Sequence, residues 1–257
     1  MLSIDEYVRA MSVEEAFSLL QNPDTEIIGG MHWLKMQNRT LKMVIDLGDL
    51  GLDMIEENDD GFLIGAYVTL RELEINENLN KMTQGAIKDS ISRIVGVQFR
   101  NTATIGASVF SRFGFSDIIT VLLPLHASVV LHKNGKVPLE DFLDMKRDKD
   151  ILTHIFIPKQ TIKMSFLAQR NTATDFSVLN TAVVIKNHRL LCAVGARPGK
   201  AVLYDMPCEY GKEELIAEKI AAETKFSKDM RASEEYRQKL CAILVGRAIK
   251  TAQKGGI

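Results

Sequence analysis

Several signals that identify common classes of protein are missing from this sequence of 257 residues. Its three cysteines, Cys192, Cys208 and Cys241, are far apart and form no C-x-x-C pair, so we expect neither a disulfide framework nor an iron–sulfur cluster. Its five histidines show no spacing typical of a metal site. The nucleotide-binding motifs G-x-G-x-x-G and G-x-x-x-x-G-K-S/T are also absent. The sequence therefore predicts no metal centre and neither of these two phosphate-binding loops.

An excess of charge of one sign is lacking as well, because 32 lysine and arginine residues balance 33 acidic residues. No overall field would attract nucleic acid or an anionic membrane, so binding must depend on shaped sites. No apolar stretch approaches the ~20 residues of a membrane span, and the first residues lack the order of a signal peptide. We therefore expect a cytoplasmic protein that binds neither nucleic acid nor membranes.

The stretch from Arg100 to Ala127 is the most informative part of the chain. It contains small and hydroxyl-bearing residues whose backbone N–H groups we expect to lie open to an anion such as a diphosphate. The residues of this candidate anion site are Thr104, Ile105, Gly106, Ala107 and Ser108. Ser116 and Asp117 precede an apolar run, where Asp117 would bind a ligand hydroxyl, cap the following helix, or both. Arg100 is expected to pair with an acid that holds the loop.

A second candidate anion site lies upstream, where a short apolar strand enters a double glycine and then a helix-like segment. Its residues are Ile27, Ile28, Gly29, Gly30, Met31, His32 and Trp33. A helix N-terminus presents free N–H groups and a partial positive charge to a phosphate. Two such sites on one chain suggest a dinucleotide that is bound from both sides.

These two segments resemble the motifs of the FAD-binding medium subunits of molybdenum hydroxylases, the xanthine dehydrogenase and carbon monoxide dehydrogenase flavoprotein family. The matching parts are Gly29 and Gly30 with Leu34, the order RN-x-ATIG-A from Arg100, and the order SD followed by LL-x-L-x-A up to Ala127. The likeness continues at Gly65–Leu73, at Arg170 with Asp175–Val178, and at Glu235–Arg237. It therefore covers essentially the whole chain.

The chain departs from the family at three places. Family members usually carry Gly-Gly-Asn where this chain has Gly106–Ser108, and a Ser-Pro pair where it has Phe113 and Gly114. After the double glycine they usually carry Thr-Asp or His-Ser, where this chain has Met31 and His32. We therefore expect its flavin affinity to differ from the family's.

The resemblance implies a redox flavoprotein that holds FAD non-covalently and has no catalytic residue of its own. FAD would accept electrons from an iron–sulfur partner subunit and give them to NAD+, with molybdopterin on another partner subunit. The resemblance also implies which residues bind FAD, namely the two segments above together with Ser116, Asp117 and Leu152.

The implied fold class is α+β (α/β). A two-part FAD-binding domain of the vanillyl-alcohol oxidase or PCMH type is expected at residues 1–158, with subdomains at about 1–50 and 51–158. A smaller α+β domain with an antiparallel sheet and helices, like the C-terminal domain of the carbon monoxide dehydrogenase flavoprotein, is expected at residues 159–257. A chain of this length is long enough to form two domains.

Local patterns predict individual elements. Predicted helices lie at about 13–21, 31–37, 78–94, 116–125, 138–142, 212–224 and 233–252, and a short one starts at Thr69. Predicted strands lie at 26–28, 41–47, 53–57, 62–64, 128–133, 151–158, 161–167, 177–186 and 190–195. Asn58–Gly61 and Asn134–Gly135 are typical of hairpin turns.

Several residues have two open interpretations. His32 either attaches FAD covalently or is an ordinary hydrogen-bonding or solvent-facing loop residue. Trp33 either lies near the isoalloxazine ring or makes a core contact. Arg170 and Asp175 either form an internal ion pair at the join between domains or contact the adenine. Leu152 either lines the flavin pocket or belongs to the core.

Two other functions stay open at this point. One is a self-contained FAD oxidase or reductase, of the vanillyl-alcohol oxidase or enolpyruvyl-glucosamine reductase kind, although no convincing acid–base pair is visible in the second domain. The other is a scaffold subunit that has lost FAD, which the departures at Ala107 and Met31 would explain.

Overall fold

The computed structural model describes residues 1–255, which form three β-sheets flanked by helices. The strands are β1 Ser3–Arg9, β2 Thr25–Ile28, β3 Thr40–Asp46, β4 Ile55–Glu57, β5 Gly61–Gly65, β6 Ser128–Leu131, β7 Gly135–Pro138, β8 Leu152–Pro158, β9 Lys163–Arg170, β10 Ser177–Lys186, β11 Arg189–Gly195 and β12 Val202–Pro207. The α-helices are α1 Val13–Leu20, α2 Leu70–Ile75, α3 Glu77–Met82, α4 Ala86–Ser92, α5 Val97–Arg100, α6 Ile105–Phe110, α7 Asp117–Leu122, α8 Leu139–Asp144, α9 Glu213–Glu223 and α10 Glu234–Lys254. Single turns of 3-10 helix occupy Leu34–Met36 and Leu123–Leu125.

The first sheet is small and parallel, with the strand order β1-β3-β2. Helix α1 connects β1 to β2, and its residues Ala16 and Leu20 are buried in one cluster with Ile45 of the central strand β3. Ser12 begins this helix, because its hydroxyl accepts a hydrogen bond of 3.1 Å from the N–H group of Glu15. Since the strands are parallel, β2 and β3 end at the same edge of the sheet, where ligands commonly bind in α/β proteins.

The second sheet is antiparallel, with the strand order β4-β5-β8-β6-β7. Phe62 and Ile64 of β5 and Ile155 and Ile157 of β8 are buried in the largest apolar cluster, which also contains residues of α2, α4, α6 and α7. The predicted turn at Asn134–Gly135 joins β6 to β7. This sheet therefore supports the helical layer that contains the Arg100 to Ala127 stretch.

The third sheet is antiparallel, with the strand order β12-β11-β10-β9, and it is covered on both faces. Leu179 and Val183 of β10 pack in a cluster with residues of α9 and α10. The alternate residues Ala182 and Val184 belong instead to the cluster of the second sheet. Because side chains alternate between the faces of a strand, β10 is buried on both sides along all but its last residue, Lys186.

The predicted domain boundary at residue 158 falls between β8, which belongs to the second sheet, and β9, which belongs to the third. The largest apolar cluster nevertheless continues from the second sheet into β10 and β11. The division into domains 1–158 and 159–257 therefore stays a prediction. Residues 256 and 257 of the expected second domain lie outside the described part of the chain.

Some helix predictions were wrong. The segment 78–94 contains two helices, α3 and α4, because Gln84 and Gly85 adopt φ angles of +52° and +82°, which an α-helix cannot contain. Only the turn Leu34–Met36 is helical within the predicted segment 31–37. Two short helices, α5 and α6, lie where no helix was predicted.

Two strands were missed and others differ at their ends. Six of the seven residues of β1 are exposed, so its sequence carries no alternation of buried and exposed positions. β12 is likewise without a fully buried residue. β4 begins at Ile55 rather than at residue 53, and β9 extends to Arg170 rather than ending at residue 167.

The three cysteines are free and buried. Burial raises the pKa of each thiol above its ordinary value, and that of Cys192 to about 12. No helix among residues 1–255 combines the length and the apolar character needed to cross a bilayer.

A buried ion pair between Arg100 and Glu74 joins α5 to α2, which confirms that Arg100 has an acidic partner. Arg100 Nε donates to Glu74 Oε2 at 2.8 Å, and Arg71 Nη1 lies 3.0 Å from the same oxygen. Burial acts to raise the pKa of the Glu74 carboxyl, but the hydrogen bonds from Arg100 and Arg71 outweigh it and hold this pKa below its ordinary value.

Glu74→Gln is expected to lower the free energy of unfolding at pH 7 by about 2 kcal/mol, because two charged hydrogen bonds are weakened. A depressed pKa gives stability that is present above the unfolded pKa of about 4.3 and is lost as the pH falls through the folded pKa. The difference between variant and parent should therefore shrink below about pH 4.

Urea unfolding at pH 7 and pH 4 measures both values. Glu56→Gln is a suitable control, because Glu56 is exposed and makes no salt bridge within residues 1–255. An equal loss of unfolding free energy at the two pH values would contradict the depressed pKa of Glu74.

Candidate functional site

The structure brings the two predicted anion-binding segments into contact. Gly29 follows the end of β2 and lies against the beginning of α6. A methyl group at Gly29 would be 3.0 Å from Thr104 Oγ1 and 3.6 Å from Ala107 Cβ. Segments far apart in the sequence are therefore adjacent at the edge where the first sheet meets the helical layer.

Gly30 requires glycine for two reasons. Its φ angle is +70°, which side chains of L-residues rarely adopt, and a methyl group there would overlap the carbonyl oxygen of Thr102. Met31 continues the turn with a φ angle of +55°. The loop is thus fixed by close backbone packing rather than by side chains.

The residues after this turn offer backbone donors without protein acceptors. Within residues 1–255, the N–H groups of Gly30, Met31, His32 and Trp33 donate no hydrogen bond. The chain then enters the 3-10 turn Leu34–Met36. Consecutive free N–H groups at the start of a helical turn are suited to an anion.

The prediction of open N–H groups in the second segment was wrong. The N–H groups of Ile105 and Gly106 donate to the carbonyl oxygens of Val68 and Ala66, each at 2.9 Å. Ala107 donates to Thr104 Oγ1 at 3.3 Å and Ser108 to the Thr104 carbonyl oxygen at 3.1 Å, because these residues form the first turn of α6.

Gly106 has a packing role that explains its size. A methyl group on Gly106 would be 2.6 Å from Ala66 Cβ, so glycine allows α6 to lie directly on the segment after β5. Ile105 is buried beside it, whereas Ala107 is exposed and Ser108 half-buried. The surface that this segment presents next to Gly29 is therefore Ala107 and Ser108, not an array of free donors.

His32 lies in the loop with its ring partly enclosed. Its Nε2 forms a hydrogen bond of 2.8 Å with Thr102 Oγ1, and its ring centroid is 4.0 Å from that of Phe99. Burial, and next the charge of Lys35, lower the pKa of its imidazole. His32 thus connects the glycine loop to the residues before α6.

Four aromatic residues form what we call the aromatic cluster: Trp33, Phe113, Phe115 and Phe176. Phe113 and Phe115 are stacked with centroids 5.0 Å apart, and Phe115 and Phe176 are 4.4 Å apart. Trp33 lies 5.9 Å from Phe176 and is 42% exposed, so it is not a core residue. The cluster joins the glycine loop, the α6–α7 loop and the third sheet.

Asp117 is not free to bind a ligand, contrary to the prediction. Its carboxylate is buried, pairs with Arg170, accepts a hydrogen bond from Ser177 Oγ at 2.7 Å and accepts another from the Asn180 side chain. Ser116 caps α7 instead, because its hydroxyl accepts from the Ile119 N–H group at 3.2 Å. These partners follow Asp117 by more than 50 residues, and no local pattern identifies them.

Two further expectations concern the same join. Arg170 and Asp175 do not form an ion pair, since Arg170 Nη1 donates to the backbone carbonyl of Asp175 at 2.6 Å and its charge is paired with Asp117. Leu152 is buried in the largest apolar cluster, which agrees with its interpretation as a core residue. A role for Leu152 beside the flavin stays a prediction.

Tyr67 is a site residue that sequence reasoning missed. Its hydroxyl donates to the carbonyl oxygen of Ile28 and accepts a hydrogen bond of 2.9 Å from the N–H group of Leu47. Burial raises its pKa well above the ordinary value. Tyr67 therefore ties the second sheet to the ends of β2 and β3, directly before the double glycine.

The residues at this seam suit a flavin dinucleotide. The free N–H groups of Gly30 to Trp33 match a diphosphate, and the aromatic cluster offers apolar area to a flat ring. Arg170 Nε is buried without a hydrogen-bond partner in residues 1–255, although Nη2 of the same guanidinium pairs with Asp117. Within the same residues, no group of three or more histidine, cysteine or acidic side chains could hold a metal ion.

Comparison with known proteins identifies the family. The profile described as the FAD binding domain in molybdopterin dehydrogenase matches residues 2–160.

The chain is 25% identical over 261 residues to the protein YgfM of Escherichia coli K12, covering 98% of each chain. It is 24% identical to the glyceraldehyde dehydrogenase medium chain of Sulfolobus acidocaldarius over 95% of this chain and 96% of that one. It is 23% identical to the xanthine dehydrogenase FAD-binding subunit of Escherichia coli O157:H7, over 98% and 97%.

The fold is shared with solved structures. A chain of the carbon monoxide dehydrogenase from Hydrogenophaga pseudoflava superposes with a TM-score of 0.87 at 20% identity, covering 98% of each chain. The predicted fold class, α+β (α/β) with an FAD-binding domain, is confirmed.

The fold and the glycine loop define the class of this protein as an FAD-binding subunit of an oxidoreductase. Within that class the chain belongs to the FAD-binding medium subunits of the molybdenum hydroxylases, which confirms the resemblance seen in its sequence.

Asp117→Asn is expected to lower the free energy of unfolding by about 3 kcal/mol or more, because it leaves the buried guanidinium of Arg170 without its charge partner. Chemical denaturation measures this value. Asp205→Asn removes an exposed pair with Arg189 and serves as the control, with an expected loss of about 0.5 kcal/mol. Similar losses in the two variants would show that the buried network contributes no more than a surface pair.

Proposed function

We propose that this chain is the electron-transfer subunit of a molybdenum hydroxylase complex. It would bind FAD non-covalently, receive electrons from the iron–sulfur clusters of a partner subunit, and deliver them to NAD+. The molybdopterin and the iron–sulfur clusters would lie on partner subunits, since this sequence carries no cysteine motif for a cluster.

One observation carries the proposal. Four consecutive N–H groups, from Gly30 to Trp33, have no acceptor among residues 1–255, and they lie beside a helix start in contact with Gly29. These residues are exposed or half-buried, so a diphosphate could reach the four donors from solvent. The second segment contributes surface at Ala107 and Ser108 rather than further donors.

When bound, FAD would take up two electrons one at a time and release them together as a hydride to NAD+, which is the chemistry of the cofactor itself. The chain's own residues bind and orient it. The glycine loop would hold the diphosphate, the aromatic cluster would exclude water from one side of the ring, and the buried Asp117 network would keep α7 fixed to the third sheet.

The relatives support the proposal. The xanthine dehydrogenase FAD-binding subunit and the glyceraldehyde dehydrogenase medium chain both align with nearly the whole of this chain, and both are named as parts of larger dehydrogenases. A partner carrying the site of substrate oxidation is therefore the simplest assembly for this chain. The substrate is set on that partner.

A scaffold subunit without FAD is the second candidate, because the N–H groups of Ile105 to Ser108 are already used inside the protein. Absorbance distinguishes the two. A purified chain that is yellow, passes electrons from NADH to a dye and oxidises no further substrate without partner subunits fits the first candidate. A colourless chain that takes up no added FAD would contradict it.

Gly30→Val is expected to reduce the FAD content of the purified chain roughly tenfold, since a side chain at this φ angle must also displace the Thr102 carbonyl. Gly51→Val is the matched control, because Gly51 has a φ angle of +66° but no atom within 4 Å of an added methyl group. The flavin-to-protein absorbance ratio measures both. Equal flavin content in the two variants would argue against the glycine loop as the diphosphate site.

Denaturation in guanidinium followed by filtration is expected to release all of the flavin into the filtrate. The His32 Nε2 is already hydrogen-bonded to Thr102 Oγ1 and its ring lies against that of Phe99, so we expect it to form no bond to the flavin ring. Colour that stays with the unfolded polypeptide, and that disappears in His32→Ala, would instead show a covalent bond.

A further inference from the structure

The side chain of Tyr67 interrupts the pairing of two strands directly before the glycine loop. Strands β2 and β3 are parallel and pair from Thr25 to Ile28, with Ile28 opposite Asp46. At the next step, the hydroxyl of Tyr67 donates to the carbonyl oxygen of Ile28 and accepts a hydrogen bond of 2.9 Å from the N–H group of Leu47. A side chain that follows β5 of the second sheet thus lies between the ends of two strands of the first sheet.

The register of β2 and β3 shows which bond the Tyr67 hydroxyl replaces. The N–H group of Met43 donates to the carbonyl oxygen of Asp24 at 3.4 Å. Because the groups that face a neighbouring strand recur every second residue, the same pairing four residues further on would join the Leu47 N–H group to the Ile28 carbonyl oxygen. These are the two groups that bind the Tyr67 hydroxyl instead.

The inserted hydroxyl holds the two strand ends apart. The nitrogen and oxygen atoms of a direct N–H···O bond are ~2.9 Å apart, whereas two atoms that both bind one hydroxyl oxygen at a tetrahedral angle are roughly 4.5 Å apart. Strand β2 ends at Ile28, and the chain turns at Gly29 and Gly30. Tyr67 therefore fixes the point from which the glycine loop starts, directly before the N–H groups that have no acceptor within residues 1–255.

The segment from Ala66 to Val68 holds both halves of the candidate site. The carbonyl oxygens of Ala66 and Val68 accept hydrogen bonds of 2.9 Å from two N–H groups in the first turn of α6. Between them, the side chain of Tyr67 points to the first sheet and binds the end of β2. Three consecutive residues thus set how far the glycine loop lies from α6.

Packing keeps the Tyr67 hydroxyl in this place. The side chain is half-buried and packs against the apolar clusters of both the first and the second sheet. Its backbone N–H group donates to the carbonyl oxygen of Leu52 at 2.8 Å. Burial has the largest effect on the pKa of the hydroxyl and raises it, so the hydroxyl stays protonated and can donate to Ile28.

We propose that Tyr67 is a positioning residue for the cofactor: by taking the place of the last bond between β2 and β3, its hydroxyl directs the N–H groups after Gly30 towards the diphosphate of FAD. The inference rests on the proposed function and specifies a residue that acts through the glycine loop. Without the hydroxyl, Leu47 and Ile28 can bond to each other directly. That bond replaces the lost ones, but it pulls the start of the loop towards β3 and away from α6.

Tyr67→Phe keeps the aromatic ring and removes only the hydroxyl. The test uses the full chain freed of flavin and titrated with FAD by calorimetry. We expect the dissociation constant for FAD to rise about tenfold, because the backbone donors no longer converge on the charged diphosphate. The melting temperature of the FAD-free chain should change by less than about 3 °C, since the direct bond between the strands offsets the loss of the hydroxyl.

Tyr7→Phe is the matched control. The Tyr7 hydroxyl donates to Asp46 Oδ2 at 2.6 Å, next to Leu47 in the sequence, but it is not inserted between paired strands. This variant should keep the FAD affinity of the parent. An affinity of Tyr67→Phe equal to that of the parent or of the control would overturn the proposal. A weaker affinity with a melting temperature lowered by more than about 3 °C would also overturn it, because a general loss of packing would then explain both changes.

Failure of the proposed function is seen separately, because a parent chain that takes up no FAD refutes the cofactor role. Inorganic diphosphate is then titrated into the parent and into Tyr67→Phe. Binding that the substitution weakens about tenfold would support the role of Tyr67 in directing the donors to an anion. Equal affinity in the two chains, or no binding to the parent, would overturn that role as well.

Discussion

The carbonyl oxygen of Thr102 lies so close to Gly30 that no side chain fits between them, and this backbone contact organises the first half of the molecule. It holds the end of the small parallel sheet against the helical layer of the second sheet. The N–H groups after Gly30 have no acceptor in the described part of the chain, because the chain turns sharply there before it can form a regular helix. Tyr67 reinforces the same seam through Ile28 and Leu47. The candidate cofactor site is a product of how tightly these two layers meet.

A second seam, between α7 and the third sheet, depends on polar packing. Asp117, Arg170, Ser177 and Asn180 satisfy one another inside the protein, and Gly195 leaves room for Asn180 and its neighbour on α7. Removing one member of such a buried network lowers the free energy of unfolding strongly. The intact network, by comparison, adds little stability over apolar side chains of the same volume. Its value here is that it fixes the direction of α7 and the α6–α7 loop. The aromatic cluster depends on that loop.

Sequence patterns of a few adjacent residues correctly predicted the features that those residues alone determine. The double-glycine turn and the hairpin turn at Asn134–Gly135 each depend on a few adjacent residues, and both lie in the structure where the sequence predicts them. The prediction of open N–H groups in the second segment was wrong because Ile105 and Gly106 donate to a segment some 40 residues earlier. No periodicity in the sequence connects the two segments. The prediction that Asp117 binds a ligand was wrong for the same reason, since its partners are distant in the sequence. The N–H groups of Gly30 to Trp33 are identified as free, within residues 1–255, only when the hydrogen bonds of the fold are known.

The burial of the three cysteines has a chemical consequence in a member of a flavoprotein family. Flavins and metal clusters that meet dioxygen produce peroxide, and peroxide attacks thiolates rather than thiols. Cys192 lies inside the third sheet and Cys241 inside the helix packed on it, where burial raises the pKa of both thiols. The apolar interior of the second half of the molecule thus disfavours the thiolate form that oxidants attack.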